Sequence, residues 1–154
     1  MINNNQIQVI FGDITHQTVD AIINVNKERV GCKTGGAVIT VGDNLPAKFI
    51  IYTVVPVWHG GKQQEAELLF HAYLSSLRLA SENEIRTIAF PNIGTGIFGF
   101  PKEQASKIAV STIVDFLNNN KTSIVNVVFV CSDQENYELY KELVFNTMKV
   151  SAIM

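Results

Sequence analysis

Ile88-Ala89-Phe90-Pro91-Asn92-Ile93-Gly94-Thr95-Gly96-Ile97-Phe98-Gly99-Phe100-Pro101 is the stretch on which the fold turns. Arg86 to Phe90 reads as a strand and Pro91 to Phe100 as a glycine-rich loop. Pro101 to Leu117 reads as a helix that starts at its proline, with Ala105, Ile108, Ala109, Ile113 and Phe116 on one face. A strand that passes through a short loop into a helix is half of the crossover that parallel strands require.

The same alternation continues on both sides. Downstream, Ile124 to Cys131 is a buried strand, and Gln134 to Phe145 a helix opened by Ser132 or Asp133 as N-cap. The apolar tail Val150 to Met154 is either a final strand or a frayed end. Upstream, Leu69, Ala72 or Tyr73, Leu77 and Ala80 recur at helical steps between Lys62 and Ala80. Before that helix come four β-rich runs, at Ile7 to Phe11, Ala21 to Val25, Ala37 to Val41 and Phe49 to Val55. Gly42-Asp43-Asn44-Leu45-Pro46 has turn chemistry between the last two. The expected architecture is α/β, with a mixed and largely parallel sheet and some antiparallel pairing in the strand-rich first half.

Composition narrows the function classes. A chain of 154 residues has room for one ordinary domain, and 47% hydrophobic against 17% charged residues favours a compact core. Twelve Lys and Arg against fourteen Asp and Glu leave a net charge of −2, with no basic excess to track a phosphate backbone. General nucleic-acid binding is therefore disfavoured. Cys32 and Cys131 are isolated, and His16, His59 and His71 are scattered away from metal-ligand spacing, so no metal or cofactor is expected. Reduced cysteines, a polar start at Met1 to Gln6 and no eighteen-residue apolar span predict a cytoplasmic chain with neither a secretory leader nor a membrane segment.

Glycines in the Gly94 to Gly99 loop let a backbone approach a ligand closely, and a helix starting near Pro101 sets free amides and a positive dipole end beside it. A phosphate or pyrophosphate suits that place; a tight strand-to-helix turn needing positive φ is the plainer alternative. The string also satisfies G-x-G-x-x-G, but the helix starts after the third glycine and no acidic residue stands at a strand end about twenty residues on. In Gly12-Asp13-Ile14-Thr15, just after the first strand, the carboxylate either accepts from an amine-bearing base or closes an Asx-type turn. Asn24 and Asn26, at the end of the second run, suit a ribose or a simple turn. Trp58 reads as a core anchor rather than a stacking platform.

Taken in order, Gly12-Asp13-Ile14-Thr15, Val19-Asp20-Ala21-Ile22-Ile23-Asn24, Gly31-Cys32-Lys33-Thr34-Gly35, Asn44-Leu45-Pro46-Ala47-Lys48 and Ile88 through Gly99 to Pro101 resemble the macrodomain family over nearly the whole chain. The likeness is to the bacterial branch of O-acetyl-ADP-ribose deacetylases and ADP-ribosyl hydrolases. It implies a three-layer α/β/α fold with an ADP-ribose cleft. Asp13 would then accept from the adenine exocyclic amine with the Ile14 amide beside the ring, and Asn24 would match the family's first asparagine. Gly94, Thr95, Gly96, Ile97, Phe98 and Gly99 would cradle the diphosphate, with Phe98 bordering the proximal ribose. The implied ligand is ADP-ribose or a related nucleotide, free or on an ADP-ribosylated protein.

The chain departs from the family at three places. The family's second strand runs on as Asn-Ala-Ala-Asn, whereas here Asn24-Val25-Asn26-Lys27 puts Lys27 where the asparagine linked to catalysis stands. The family's glycine-rich loop with its catalytic aspartate, and the helix after it, have no counterpart between Lys27-Glu28-Arg29-Val30 and Gly31. Ser132 stands before Asp133 where the family often has an aromatic beside the adenine. Catalytic residues are thus unassigned, and the expected function is ADP-ribose binding. A hydrolase of the same branch is the alternative, and a scaffold that has lost its ligand is a second one.

Overall fold

A computed structural model describes residues 6–26, 31–93 and 98–153, with 148–153 in backbone only. Its strands are β1 (Ile7–Phe11), β2 (Ala21–Asn26), β3 (Ala37–Val41), β4 (Phe49–Val54), β5 (Thr87–Pro91) and β6 (Asn126–Cys131). Its helices are α1 (Glu65–Glu82), α2 (Lys102–Asn119) and α3 (Gln134–Ile153), and a short 3-10 turn spans Ile14–His16. The strands form one six-stranded sheet in the order β1-β6-β5-β2-β4-β3. Every pairing is parallel except β3 with β4, which runs antiparallel from Ala37↔Thr53 to Val41↔Phe49. The mixed, largely parallel sheet read from the sequence is therefore the one the chain forms.

Strand alternation divides the sheet's residues between two unlike faces. Ile7, Ala21, Ile23, Ile51, Ile88, Phe90, Val127, Phe129 and Cys131 point to one face and share a core with all three helices. There α1 lies over β3 and β4, α3 over β1 and β6, and α2 between the other two helices. The buried stripe of α1, Leu69, Ala72, Tyr73, Ser76, Leu77 and Ala80, repeats at three- and four-residue steps. Ile22, Ala89, Val128 and Val130 point the other way, under Ile14, Val19, Leu45 and Ala47. Among the described residues that second layer holds the 3-10 turn and the 42–48 segment but no α-helix. Gly42 fits its turn only without a side chain, since a Cβ there would run into the Ala47 carbonyl oxygen.

The helix boundaries differ from the sequence reading: α1 runs from Glu65 to Glu82 rather than from Lys62 to Ala80, and α2 ends at Asn119 rather than Leu117. Pro101 is the N-cap of α2 rather than its first helical residue. At the other end, α3 runs on to Ile153, so the backbone of the apolar tail through that residue is helix, neither strand nor frayed. Asp133 is the residue that opens α3, its Oδ1 accepting the Asn136 N–H at 2.8 Å.

Candidate functional site

Parallel strands end together, so β1, β6, β5, β2 and β4 bring Phe11, Cys131, Pro91, Asn26 and Val54 to one edge of the sheet. Within that row the chain order changes direction. From β2 the chain builds outward to β4 and β3, and from β5 it builds the other way to β6. The crevice beyond the carboxyl ends at such a reversal is where open α/β sheets bind ligands. Here β2 and β5 pair only through Ala21↔Ile88 and Ile22↔Ala89, so they part before β2 reaches Asn24.

Asn24 is exposed at the edge of this opening, and its Oδ1 accepts the Asn26 Nδ2 at 3.0 Å. The end of β5 at Pro91, from which the glycine-rich loop leaves, forms the other side of it. Of that loop Gly94, Thr95, Gly96 and Ile97 lie outside the described residues, as does Lys27 beyond β2. At the loop's far end the Phe98 ring is buried in the helix-side core, and exposed Gly99 takes φ 77°, the left-handed conformation that glycine permits.

Asp13 sits at the outer end of the row. The Gly12 N–H donates to the Cys131 carbonyl at 3.0 Å, which pins the turn after β1 to the end of β6. Oδ1 of Asp13 accepts the Thr15 N–H at 2.9 Å and the Thr15 hydroxyl at 2.6 Å. The Asx-type cap foreseen from the sequence is thus formed, yet it uses only one carboxylate oxygen. Oδ2 has His16 Nε2 at 3.8 Å, and both side chains are exposed. The Thr15 hydroxyl and then its N–H hold the Asp13 carboxyl below its ordinary value, with a smaller contribution from His16. Ile14, next in the turn, packs into the small core of the second face and fixes where its own amide lies.

Asp20 has a structural task. Its Oδ2 accepts the Arg86 and Thr87 N–H groups at 2.9 and 3.3 Å, tying the start of β2 to β5. Burial, with the charge of Asp133 adding to it, pushes the Cys131 thiol up to about 12, which leaves it a protonated core residue and no nucleophile. No group of three or more His, Cys, Asp and Glu among the described residues could hold a metal ion. No described helix is long and apolar enough to cross a membrane. An open groove of about 670 Å³ lined by Phe70, Ile108, Asp115 and Leu143 lies between the three helices.

The family model described as "Macro domain" matches residues 4–109. The chain belongs to the macrodomain family. A macro domain-containing protein of Cupriavidus necator is 40% identical over 171 aligned positions, covering 92% of this chain and 98% of that protein. An O-acetyl-ADP-ribose deacetylase of Citrobacter rodentium is 40% identical over 170 positions, covering 91% of this chain and 96% of its own. The Oceanobacillus iheyensis macrodomain with ADP is 30% identical with a TM-score of 0.84, covering 97% of this chain and 95% of the other. An alignment of 171 positions exceeds the 154 residues available, so at least 17 positions in the first comparison have no residue of this macrodomain opposite them.

Sequence reading passed over one residue of the site's surroundings. Glu65 is buried at the start of α1, where its Oε2 accepts the His59 and Gly61 N–H groups at 2.7 and 3.0 Å and its Oε1 the Gln63 N–H at 2.6 Å. Burial alone would raise this carboxyl; the backbone N–H groups of His59, Glu65 itself, Gln63 and Gly61 outweigh it and hold it at about 2. The signal was a glycine pair, Gly60-Gly61, four residues ahead of an acid that opens a helix.

Proposed function

We propose that this macrodomain, read as a single domain, binds ADP-ribose or a derivative along the carboxyl edge of its sheet. The Asp13 carboxylate takes the adenine exocyclic amine, the Ile14 amide lies beside the ring, and the Gly94 to Gly99 loop cradles the diphosphate. Asn24 stands toward the distal ribose. The observation that carries the reading is an exposed, anionic Asp13 with Oδ2 turned from its own cap, two to three strand spacings from a crevice at the point where the chain order reverses. Two to three strand spacings amount to about 10 to 14 Å, which suits an extended dinucleotide-sized ligand lying across the strand ends. The Oceanobacillus iheyensis macrodomain with ADP supports the same class of ligand. A near-neutral chain suits this too, because one diphosphate held by backbone amides needs no basic surface. Two free cysteines, one of them buried, fit a reducing compartment, the cytoplasm.

Calorimetric titration with ADP-ribose tests the reading. Saturable heat with one ligand per chain is the expected result, and no heat from the folded protein rejects it.

A second reading has its own support, since the Citrobacter rodentium relative is named an O-acetyl-ADP-ribose deacetylase. It takes O-acetyl-ADP-ribose, or an ADP-ribosylated protein, as substrate, with water as the attacking group. Against it, the chain has Lys27 in place of the asparagine linked to catalysis and no segment with the family's aspartate before Gly31. Release of acetate from O-acetyl-ADP-ribose decides between the two: turnover supports the hydrolase, and tight binding without turnover supports the binder.

A further inference from the structure

Trp58 touches the three residues that leave the glycine-rich loop. Its backbone N–H donates to the Phe98 carbonyl at 2.8 Å, its Cβ stands 3.9 Å from where a Cβ on Gly99 would lie, and its ring meets that of Phe100 at 5.1 Å between centroids. The 59–63 loop also reaches the indole, through Gly61. A Cβ on Gly61 would come within 2.8 Å of the Trp58 ring, so glycine at φ 84° is what lets that loop close over the indole. What holds the loop closed is Glu65, whose two carboxylate oxygens take three backbone N–H groups from it.

We infer that Glu65 is a positioning residue for the diphosphate-binding loop. Its carboxylate closes residues 59–63 over Trp58, and Trp58 in turn fixes the end of the glycine-rich loop at Phe98 to Phe100. The inference rests on the ADP-ribose reading and deepens it. A loop whose exit is already fixed loses less freedom when ligand arrives, so the contribution is to preorganisation. A glutamine cannot replace the glutamate here. One of its two terminal atoms is itself an N–H donor and would face a donor of the same kind.

The test compares two ligands on the wild type, Glu65→Gln and Trp58→Leu, with thermal melts to establish that each is folded. ADP-ribose carries the diphosphate and adenosine does not. Both variants are expected to bind ADP-ribose roughly tenfold more weakly, with adenosine affinity by ligand-observed NMR unchanged. Trp58 is the chain's single tryptophan. Its emission should shift to the red in ligand-free Glu65→Gln, and it should respond to ADP-ribose in the wild type. Unchanged ADP-ribose affinity, or an equal loss for both ligands, overturns the inference. Should Glu65→Gln not fold, Trp58→Leu alone decides it by the same two ligands. A folded wild type that binds no ADP-ribose overturns the functional reading and this inference together, while a binding wild type with indifferent variants overturns only the inference.

Discussion

The turn after β1 and the loop ahead of α1 are each organised by one carboxylate, and they use it in opposite ways. Asp13 gives one oxygen to Thr15 and leaves the other exposed. Glu65 is buried and gives both oxygens to backbone N–H groups of its own loop. Both carboxyls are held below their ordinary values, so a depressed pKa by itself does not tell a ligand-binding group from a group that holds the fold. What separates them is whether an oxygen remains after the local hydrogen bonds are counted. In the turn after β1 one oxygen accepts no hydrogen bond from the cap, and in the loop before α1 both oxygens are taken.

Replacing the exposed carboxylate puts the greatest strain on this contrast. Asp13→Ala should weaken ADP-ribose binding by about ten- to hundredfold, the usual effect of losing a charge-assisted hydrogen bond. Its melting temperature should stay near that of the wild type, because the group is exposed and caps only a short turn. Calorimetry and a thermal melt on the same sample check both halves. A large fall in stability with affinity intact would make Asp13 the structural carboxylate and remove the contrast.

Acid affects the other member more. The Glu65 carboxyl has a folded value of about 2 against an ordinary 4.5. A depressed folded value means the unfolded chain takes up the proton first, so the contribution of Glu65 is complete above about pH 4.5 and is lost as the pH falls toward about 2. Urea titrations at several pH values across that window should show stability falling with pH, and Glu65→Gln should make the fall shallower. An identical slope in the two proteins would mean that the loop does not depend on the charge.

The two carboxylates also mark how far the sequence could be read. All six strands and three helices were legible, because apolar residues repeat at two-residue steps in β1 and at three- and four-residue steps in α1. Asp13 was legible as well, for it follows a strand directly within a compact block. Glu65 was not. Its partners are backbone N–H groups of His59, Gly61 and Gln63, and a backbone group carries no residue type that a pattern can register. The far end of α3 was left unassigned for a related reason: Val150 to Met154 is too short, with Ser151 its one polar residue, to show a period. The reversal of chain order between β5 and β2, which locates the crevice, is a property of the sheet's topology and appears in no single segment.

The smallest expected effect is the most specific to the Asp13 side of the comparison. Thr15→Val keeps a β-branched side chain of the same shape and removes only the hydroxyl that donates to Oδ1 at 2.6 Å. That hydroxyl is the first cause of the lowered Asp13 carboxyl, so the variant's value should rise toward 3.8 when followed by carboxyl-carbon NMR. The Thr15 N–H bond at 2.9 Å remains, and with it the turn. At neutral pH Asp13 stays anionic in both proteins, so the charge offered to the adenine amine is the same and affinity should change by less than about threefold. The experiment thereby separates charge from orientation. A raised carboxyl with affinity intact means that Oδ2 and the backbone cap are sufficient for the base. A loss as large as that of Asp13→Ala would mean that the threonine hydroxyl, by fixing the carboxylate's rotamer, does most of the work of presenting Oδ2.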